Sequence, residues 1–307
     1  MRTLRTSALL RTAGVIAASG LFLTGCSDAA TDSAEAAAAN AQETADTDAA
    51  GSGEPLDIML TNDDGWDAPG ITAAYEALTG AGHSVTLVAP AENQSGKGGA
   101  VDISGTLEVT QPTDDPQIHS VGGTPATAAS FGLKEVMEEA PDLVVSGINA
   151  GANAGTDIRS SGTFGAASIA SGSYGVPAIA TSLDASSEDQ ADYEAAAQLL
   201  LDIIDQAAGS LEAGYVLNMN YPDPAEAPED PQVVYAETAQ GSGYVTTYER
   251  QDGDTYEVSL GYAEDAPESG DLAELSRGNV TLSLITTTPS LPAGEAGNVT
   301  ALVDALN

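Results

Sequence analysis

The stretch Leu56-Asp57-Ile58-Met59-Leu60-Thr61-Asn62-Asp63-Asp64-Gly65 decides how the chain is read. A short apolar run ends abruptly in polar residues, as a buried strand does when its carboxyl end meets a loop. Pro69 then opens residues 69–81 as a helix, since proline in a first turn gives up an N–H that has no helical partner. The rhythm continues with a strand at 85–89, a Gly-rich loop and a strand around 101–109. Helix 125–139, strand 143–145, helix 164–174, strand 178–181, helix 192–208 and strand 216–219 follow. Alternation of this kind specifies the α/β class, a mostly parallel sheet flanked by helices. Beyond Pro222 the chain turns Pro-rich and acidic. Segments 244–248 and 256–260 then alternate on either side of Gln251-Asp252-Gly253-Asp254, whose Asp-Gly centre signals a hairpin. A projecting β-hairpin arm is expected over residues 232–262, with 280–285 returning to the body as a strand.

The N-terminus reads as an address. Arg2, Arg5 and Arg11 precede an apolar run over residues 12–23, the layout of an export signal. A membrane span needs a longer run, roughly 20 residues. Leu23-Thr24-Gly25-Cys26 follows and looks like a lipobox, so residues 1–25 are expected to be a lipoprotein signal peptide and Cys26 the lipidated residue. Cys26 is the only cysteine, so no internal disulfide is available, and lipidation removes a thiol that export would expose to oxidants. Residues 27–54 lack aromatic residues and Leu, Ile and Val, and cannot offset their ordering entropy by burial. Residues 26–54 are therefore expected to form a disordered acidic tether. Its span as a flexible coil is about 30 Å. Residues 55–307 suffice for one α/β domain with a smaller extension. The net charge of −38 opposes binding of nucleic-acid polymers and anionic lipid headgroups. The expected location is the outer face of the bacterial cytoplasmic membrane, held there by lipid alone.

Four loops follow strands, and open α/β sheets bind ligands at the carboxyl ends of their strands. Asp63 and Asp64 stand side by side in the first. Neighbouring carboxylates repel unless a cation or water lies between them, although Asp-Gly is also a common turn pair. The second loop, Asn93-Gln94-Ser95-Gly96-Lys97-Gly98-Gly99, offers hydroxyl, amide and backbone N–H groups for an anion or a cation's outer shell. Lys97, one of two lysines, reads either as a phosphate contact or as a solvated surface residue. The third runs from Ser146-Gly147-Ile148-Asn149 through Gly151, Asn153, Gly155 and Asp157 to Ser160-Ser161-Gly162-Thr163. Its helix-opening N–H groups suit a phosphate, and Ser160 or Ser161 suits an N-cap. Gly122-Gly123-Thr124-Pro125 is the fourth, a tight turn feeding a helix.

The chain has no G-x-S-x-G elbow, Walker loop or G-x-G-x-x-G fingerprint, which argues against serine hydrolase, P-loop and dinucleotide-binding functions. His83 and His119 are the only histidines and lack metal-ligand spacing, with His83 reading as a helix-end residue. Oxygen ligands without Cys or His imply a hard cation, Mg²⁺ or Mn²⁺.

These motifs, in this order, resemble the SurE survival-protein nucleotidases. The matching residues are 61–65 with Ala68-Pro69-Gly70-Ile71, Val88-Ala89-Pro90 with Ser95-Gly96, Gly123-Thr124-Pro125, and Pro141-Asp142-Leu143 through Ser146-Gly147-Ile148-Asn149. Gly151, Asn153, Gly155, Asp157, Ser161-Gly162-Thr163 and Leu217-Asn218-Met219-Asn220-Tyr221-Pro222 complete them. The resemblance implies a Rossmann-like fold over roughly residues 56–285. It also implies one divalent metal ion held by Asp63, Asp64, Ser95 and Asn149, with Asp63, Asp64 and Asn149 catalytic. Asn62, Gly96, Ser161, Gly162 and Thr163 are implied at phosphate or substrate. The implied reaction is hydrolysis of nucleoside 5′- or 3′-monophosphates by a homodimer or homotetramer, with the arm and C-terminal segment exchanging contacts. A broad acid phosphatase or exopolyphosphatase and a non-catalytic ligand-binding lipoprotein are the alternatives. The chain departs from the family pattern at Thr127, where an acid is expected, at Ser160, where tyrosine is common, and in lacking a glutamate in the following helix.

Overall fold

The computed structural model describes residues 54–185, 193–223, 227–228, 231–265 and 267–288. The expected signal peptide, Cys26 and nearly all of the tether lie outside the described residues.

Strand β1 (Asp57–Thr61) runs through the centre of the sheet. It pairs in parallel with β2 (Ser84–Pro90) on one side and β5 (Leu143–Ala150) on the other. Helix α1 (Pro69–Gly80) joins β1 to β2. Beyond β2 lie β4 (Ile118–Val121), parallel, and the two-residue β3 (Val109–Thr110), antiparallel. Beyond β5 come β6 (Ala178–Leu183) and β7 (Tyr215–Tyr221), both parallel. The far edge is formed by β11 (Val280–Thr286), antiparallel to β7, and β8 (Val233–Tyr235), parallel to β11.

Because side chains alternate across a strand, β1 feeds two cores. Ile58 and Leu60 pack with Ile71, Leu78, Leu200 and Ile204 under α1 and α4 (Tyr193–Ala207). Met59 packs with Val88, Ala128 and Ala166 under α2 (Pro125–Phe131) and α3 (Gly162–Tyr174). In α4 the buried Ala196, Ala197, Leu200, Ile203 and Ile204 form one stripe at helical spacing. α3 instead buries Ala166, Ala167 and Ala170, small residues that bring its axis close to the sheet.

The mostly parallel, helix-flanked sheet expected from the sequence is present, with local differences. Residues 101–106 are exposed and form no strand, because Gly105 interrupts them and no neighbouring strand pairs with them; only β3 remains of the expected 101–109. The place beside β2 goes to β4, Ile-His-Ser-Val, too short and polar to announce itself. The helix expected at 125–139 ends as α2 at Phe131, continues as one wider π turn, Gly132–Val136, and stops at an extended Met137. Pro141 follows closely and disfavours a helical residue before it.

The arm is also shorter than expected. Val233–Tyr235 belongs to the main sheet as β8, and the hairpin comprises β9 (Tyr244–Arg250) and β10 (Tyr256–Tyr262), paired from Tyr244↔Tyr262 to Arg250↔Tyr256. A short helix, α5 (Asp271–Ser276), has no counterpart among the expected elements.

From β1 the chain proceeds to β2 and β4 on one side, then returns on the other side at β5. That reversal sets the loops after β1 and β5 next to each other at the carboxyl edge, where such sheets bind ligands.

Candidate active site

The loop after β1 is held from within. The Asn62 side-chain amide donates to the Gly65 carbonyl at 2.8 Å, and the Gly65 N–H donates back to Asn62 Oδ1 at 3.3 Å. Asn62 is fully buried, and its amide closes this turn from both sides.

Asp63 is buried against the N-terminus of α3. Thr163 Oγ1 donates to Asp63 Oδ1 at 2.5 Å. Burial pushes the Asp63 carboxyl above its ordinary range, opposed in part by the Thr163 hydroxyl and the N–H groups of Gly162 and Thr163. A Cβ on Gly162 would lie 2.6 Å from Asp63 Cβ, so only glycine admits this approach. The helix-opening N–H groups expected to hold phosphate are thus directed at Asp63, because a carboxylate already occupies the anion position at the positive end of α3. Ser161 Oγ accepts from Phe164 N–H at 2.9 Å as the N-cap.

Asp64 joins the other loops. Its Oδ2 accepts from Ala150 N–H at 3.1 Å and its Oδ1 from Asn93 Nδ2 at 3.3 Å. The second loop is fixed to the first by Gln94 N–H donating to the Asp63 carbonyl at 2.7 Å, and to the segment before α3 by Gly98 N–H donating to the Ser160 carbonyl at 3.0 Å. Ser95 and Gly96 sit exposed on the rim, in a turn closed by Lys97 N–H to the Gln94 carbonyl at 3.2 Å; Lys97 is also exposed.

Asn149 follows an irregularity in the pairing of β5 with β6 between Ser146 and Asn149, the kind of break that re-aims a side chain. Gly147 makes it possible: its φ is 133°, and a Cβ there would lie 2.2 Å from the Thr181 carbonyl oxygen. Asn149 Nδ2 donates to the carbonyls of Ala150 and Gly151, at 3.1 and 2.7 Å. The amide nitrogen is therefore committed to the loop, and its oxygen is the atom that remains for a cation.

The donor set, two carboxylates with an amide and a hydroxyl oxygen, fits a hard cation. No cluster of three or more His, Cys, Asp or Glu suited to a metal occurs among the described residues. His83 Nδ1 accepts from Leu56 N–H at 3.2 Å and serves the start of β1.

Behind Asp63 lies a buried polar network that the candidate residues did not include. Asn153 Nδ2 donates to Ser182 Oγ at 2.9 Å and to Thr163 Oγ1 at 3.4 Å, while its carbonyl accepts from Asn218 and Asn220 side chains at 2.8 and 3.1 Å. Thr163 thus connects the network to the Asp63 carboxylate. Asparagines on the buried face of β7 were the available signal. Thr127, at the position where an acid was expected, donates to Asp102 Oδ2 at 3.0 Å, and Thr124 N–H donates to the same oxygen at 3.1 Å. A carboxylate stands over this helix end after all, supplied by a different loop.

A model of the family described as Survival protein SurE matches residues 58–245. The chain belongs to the SurE family. A 5'-nucleotidase SurE of Methanopyrus kandleri is 36% identical over 250 residues, 78% of this chain and 95% of that protein. The 5'-nucleotidase SurE of Clostridium beijerinckii is 35% identical over 237 residues, covering 74% and 92%. The crystal structure of the SurE protein from Aquifex aeolicus matches with a TM-score of 0.68 at 26% identity, over 81% of this chain and 99% of that one. Asp63, Asp64, Ser95 and Asn149 all fall within the SurE match, as do Ser161, Gly162 and Thr163.

Proposed function

We propose that this chain is a metal-dependent nucleotidase that hydrolyses nucleoside 5′- or 3′-monophosphates to nucleoside and phosphate. The observation that carries the reading is the meeting of Asp64 with the backbone just after Asn149, and of Asp63 with the α3 N-terminus, at the sheet's reversal point in a chain of the SurE family. Asp63, Asp64, Asn149 and Ser95 are the residues that would hold the ion, and their oxygen-only chemistry favours Mg²⁺ or Mn²⁺. A bound divalent cation supplies positive charge for phosphoryl oxygens and acidifies water.

The chain's own groups orient and stabilise. Thr163 and the N–H groups opening α3 hold the Asp63 carboxylate in one fixed orientation, so the ligand set needs no reorganisation as charge develops on the phosphoryl group. The Asn153 network holds Thr163 in position. In the reaction water adds to phosphorus, the bond from phosphorus to the nucleoside oxygen breaks, and a proton goes to that oxygen. Purified protein is expected to release phosphate from nucleoside monophosphates in Mg²⁺ or Mn²⁺ and none in EDTA. Release unaffected by EDTA, or none from a folded protein with either metal, overturns the reading.

Two further parts of the proposal rest on other features. Export and lipid attachment at Cys26, placing the enzyme on the outer face of the cytoplasmic membrane, are supported by the leader sequence alone. Assembly into a homodimer or homotetramer is supported by the arm, whose Tyr248, Val258 and Leu260 are more than half exposed.

A further inference from the structure

Along β7, Leu217 and Met219 face the core under α1 and α4, so the alternation of a strand turns Asn218 and Asn220 toward α3. Both asparagines are fully buried, on a face that Val144, Ala178 and Val216 line with apolar groups. An amide buried there is unfavourable unless it is hydrogen-bonded.

Both amides bind one residue of the loop after β5. The Asn220 side chain meets the Asn153 backbone from two sides: its Oδ1 accepts from Asn153 N–H at 2.7 Å, and its Nδ2 donates to the Asn153 carbonyl at 3.1 Å. It pairs with the loop as a peptide group of a neighbouring strand would. Asn218 Nδ2 donates to the same carbonyl at 2.8 Å. That carbonyl is thus bonded twice, while Asn218 Oδ1 has no hydrogen-bond partner among the described residues. A buried acceptor left in that state lowers stability. Asn218 therefore adds a bond that satisfying the backbone does not require, and leaves its own oxygen unpaired to do so.

The clamped residue reaches the carboxylate cluster. Asn153 Nδ2 donates to Ser182 Oγ and to Thr163 Oγ1, at 2.9 and 3.4 Å. A hydroxyl that accepts from Asn153 keeps its single proton for Asp63 Oδ1, to which Thr163 donates at 2.5 Å. We propose that Asn218 and Asn220 are positioning residues for the metal site: through Asn153 and Thr163 they hold the Asp63 carboxylate in the orientation that binds the cation. The inference rests on the metal-dependent reading of the site and adds two residues of β7, neither of them a ligand, to what sets its affinity. Partners that orient metal ligands commonly govern affinity in this way.

The test measures Mn²⁺ binding directly, from the paramagnetic resonance of the free ion, together with Tm in EDTA, for Asn218→Leu, Asn220→Ala and Ser283→Ala in the full chain. Leucine repeats the branched skeleton of asparagine and removes the unpaired oxygen along with the donor. Asn218→Leu is expected to match or exceed the parent's Tm and to raise the Mn²⁺ Kd roughly tenfold. Asn220→Ala is expected to raise Kd at least as much, with a lower Tm. Ser283, opposite Asn218 on β11, donates to the Ala236 carbonyl at 2.7 Å, a buried bond outside the catalytic loop. Ser283→Ala is expected to lower Tm and leave Kd unchanged. Parental Kd in a folded asparagine variant, a Kd that rises in step with lost stability in all three variants, or failure of both asparagine variants to fold overturns the proposal and leaves the metal site standing. A parent that takes up no Mn²⁺ sinks the metal site and the proposal with it.

Discussion

At Asp63 two requirements meet in one side chain. It sits 3% exposed beside the α3 N-terminus, where hydrogen bonds from the helix start and a hydroxyl favour the anion and burial disfavours it, with burial the larger influence. Its folded-state pKa is raised, so without metal the native state holds a proton that the unfolded chain has already lost. Stability therefore falls as pH rises from the unfolded value through the folded one, and a cation at the carboxylate reverses the effect. Asp63→Asn keeps an acceptor for Thr163 and removes the charge. In EDTA at neutral pH its Tm is expected to exceed the parent's, by about 2–4 °C for about 1 kcal/mol relieved, while Mg²⁺-dependent phosphate release disappears. A lower Tm or retained release counts against this account. The placement of Asp63, Asp64 and Asn149 at the carboxyl ends of strands was legible, because charge pairs and Gly-flanked amides after apolar runs are local signals. The turn closed by Asn62 was not legible, because nothing in Thr-Asn-Asp-Asp-Gly says that the asparagine amide bonds to Gly65.

Between elements, the tie of greatest consequence is one that the sequence hid. Asp271, fully buried at the start of α5, accepts from the N–H groups of Gly155 at 3.1 Å, Ala239 at 2.8 Å and Leu272 at 2.8 Å. It joins the catalytic loop, the approach to the arm and α5. Asp157 makes a parallel link, accepting from Ser242 Oγ and from Gly243 N–H. Asp271→Ala leaves three donors without their acceptor and is expected to destabilise the fold by roughly 2–4 kcal/mol, read as a lower midpoint in urea at unchanged m-value. A midpoint within error of the parent's would show the carboxylate to be dispensable. The hairpin was legible from its Asp-Gly turn and β-branched and tyrosine runs. The 101–109 strand and the full 125–139 helix were over-read. An apolar residue such as Ile103, which is 94% exposed, signals burial only when a partner strand exists to bury it.

For the molecule as a whole, the proposal of export and lipid attachment rests on the N-terminal residues 1–25, the single cysteine and the acidic low-complexity segment taken together. In a bacterial host that exports lipoproteins, the full chain is expected in the membrane fraction with its N-terminal mass increased by lipid at Cys26. Cys26→Ala is expected in the soluble fraction with the nucleotidase activity of the folded domain retained. Equal partition of the two proteins would remove the anchor from the account. The net charge of −38 is met by few ion pairs: those among the described residues, Arg250 with Asp254 and Arg277 with Glu274, both lie at the surface.

Sequence by itself determined the α/β class, the strand ends that carry the carboxylates and the family, because strand-helix alternation and glycine-flanked polar motifs are encoded within a few adjacent residues. Only the tertiary structure decided what those residues touch. It turned the phosphate-seeking N–H groups of α3 onto Asp63, placed Asp102 over Thr127, and closed the Asn220 side chain on the Asn153 backbone. Each of these is a contact between segments far apart in the chain, fixed by how two cores pack on one sheet, and no local pattern specifies it.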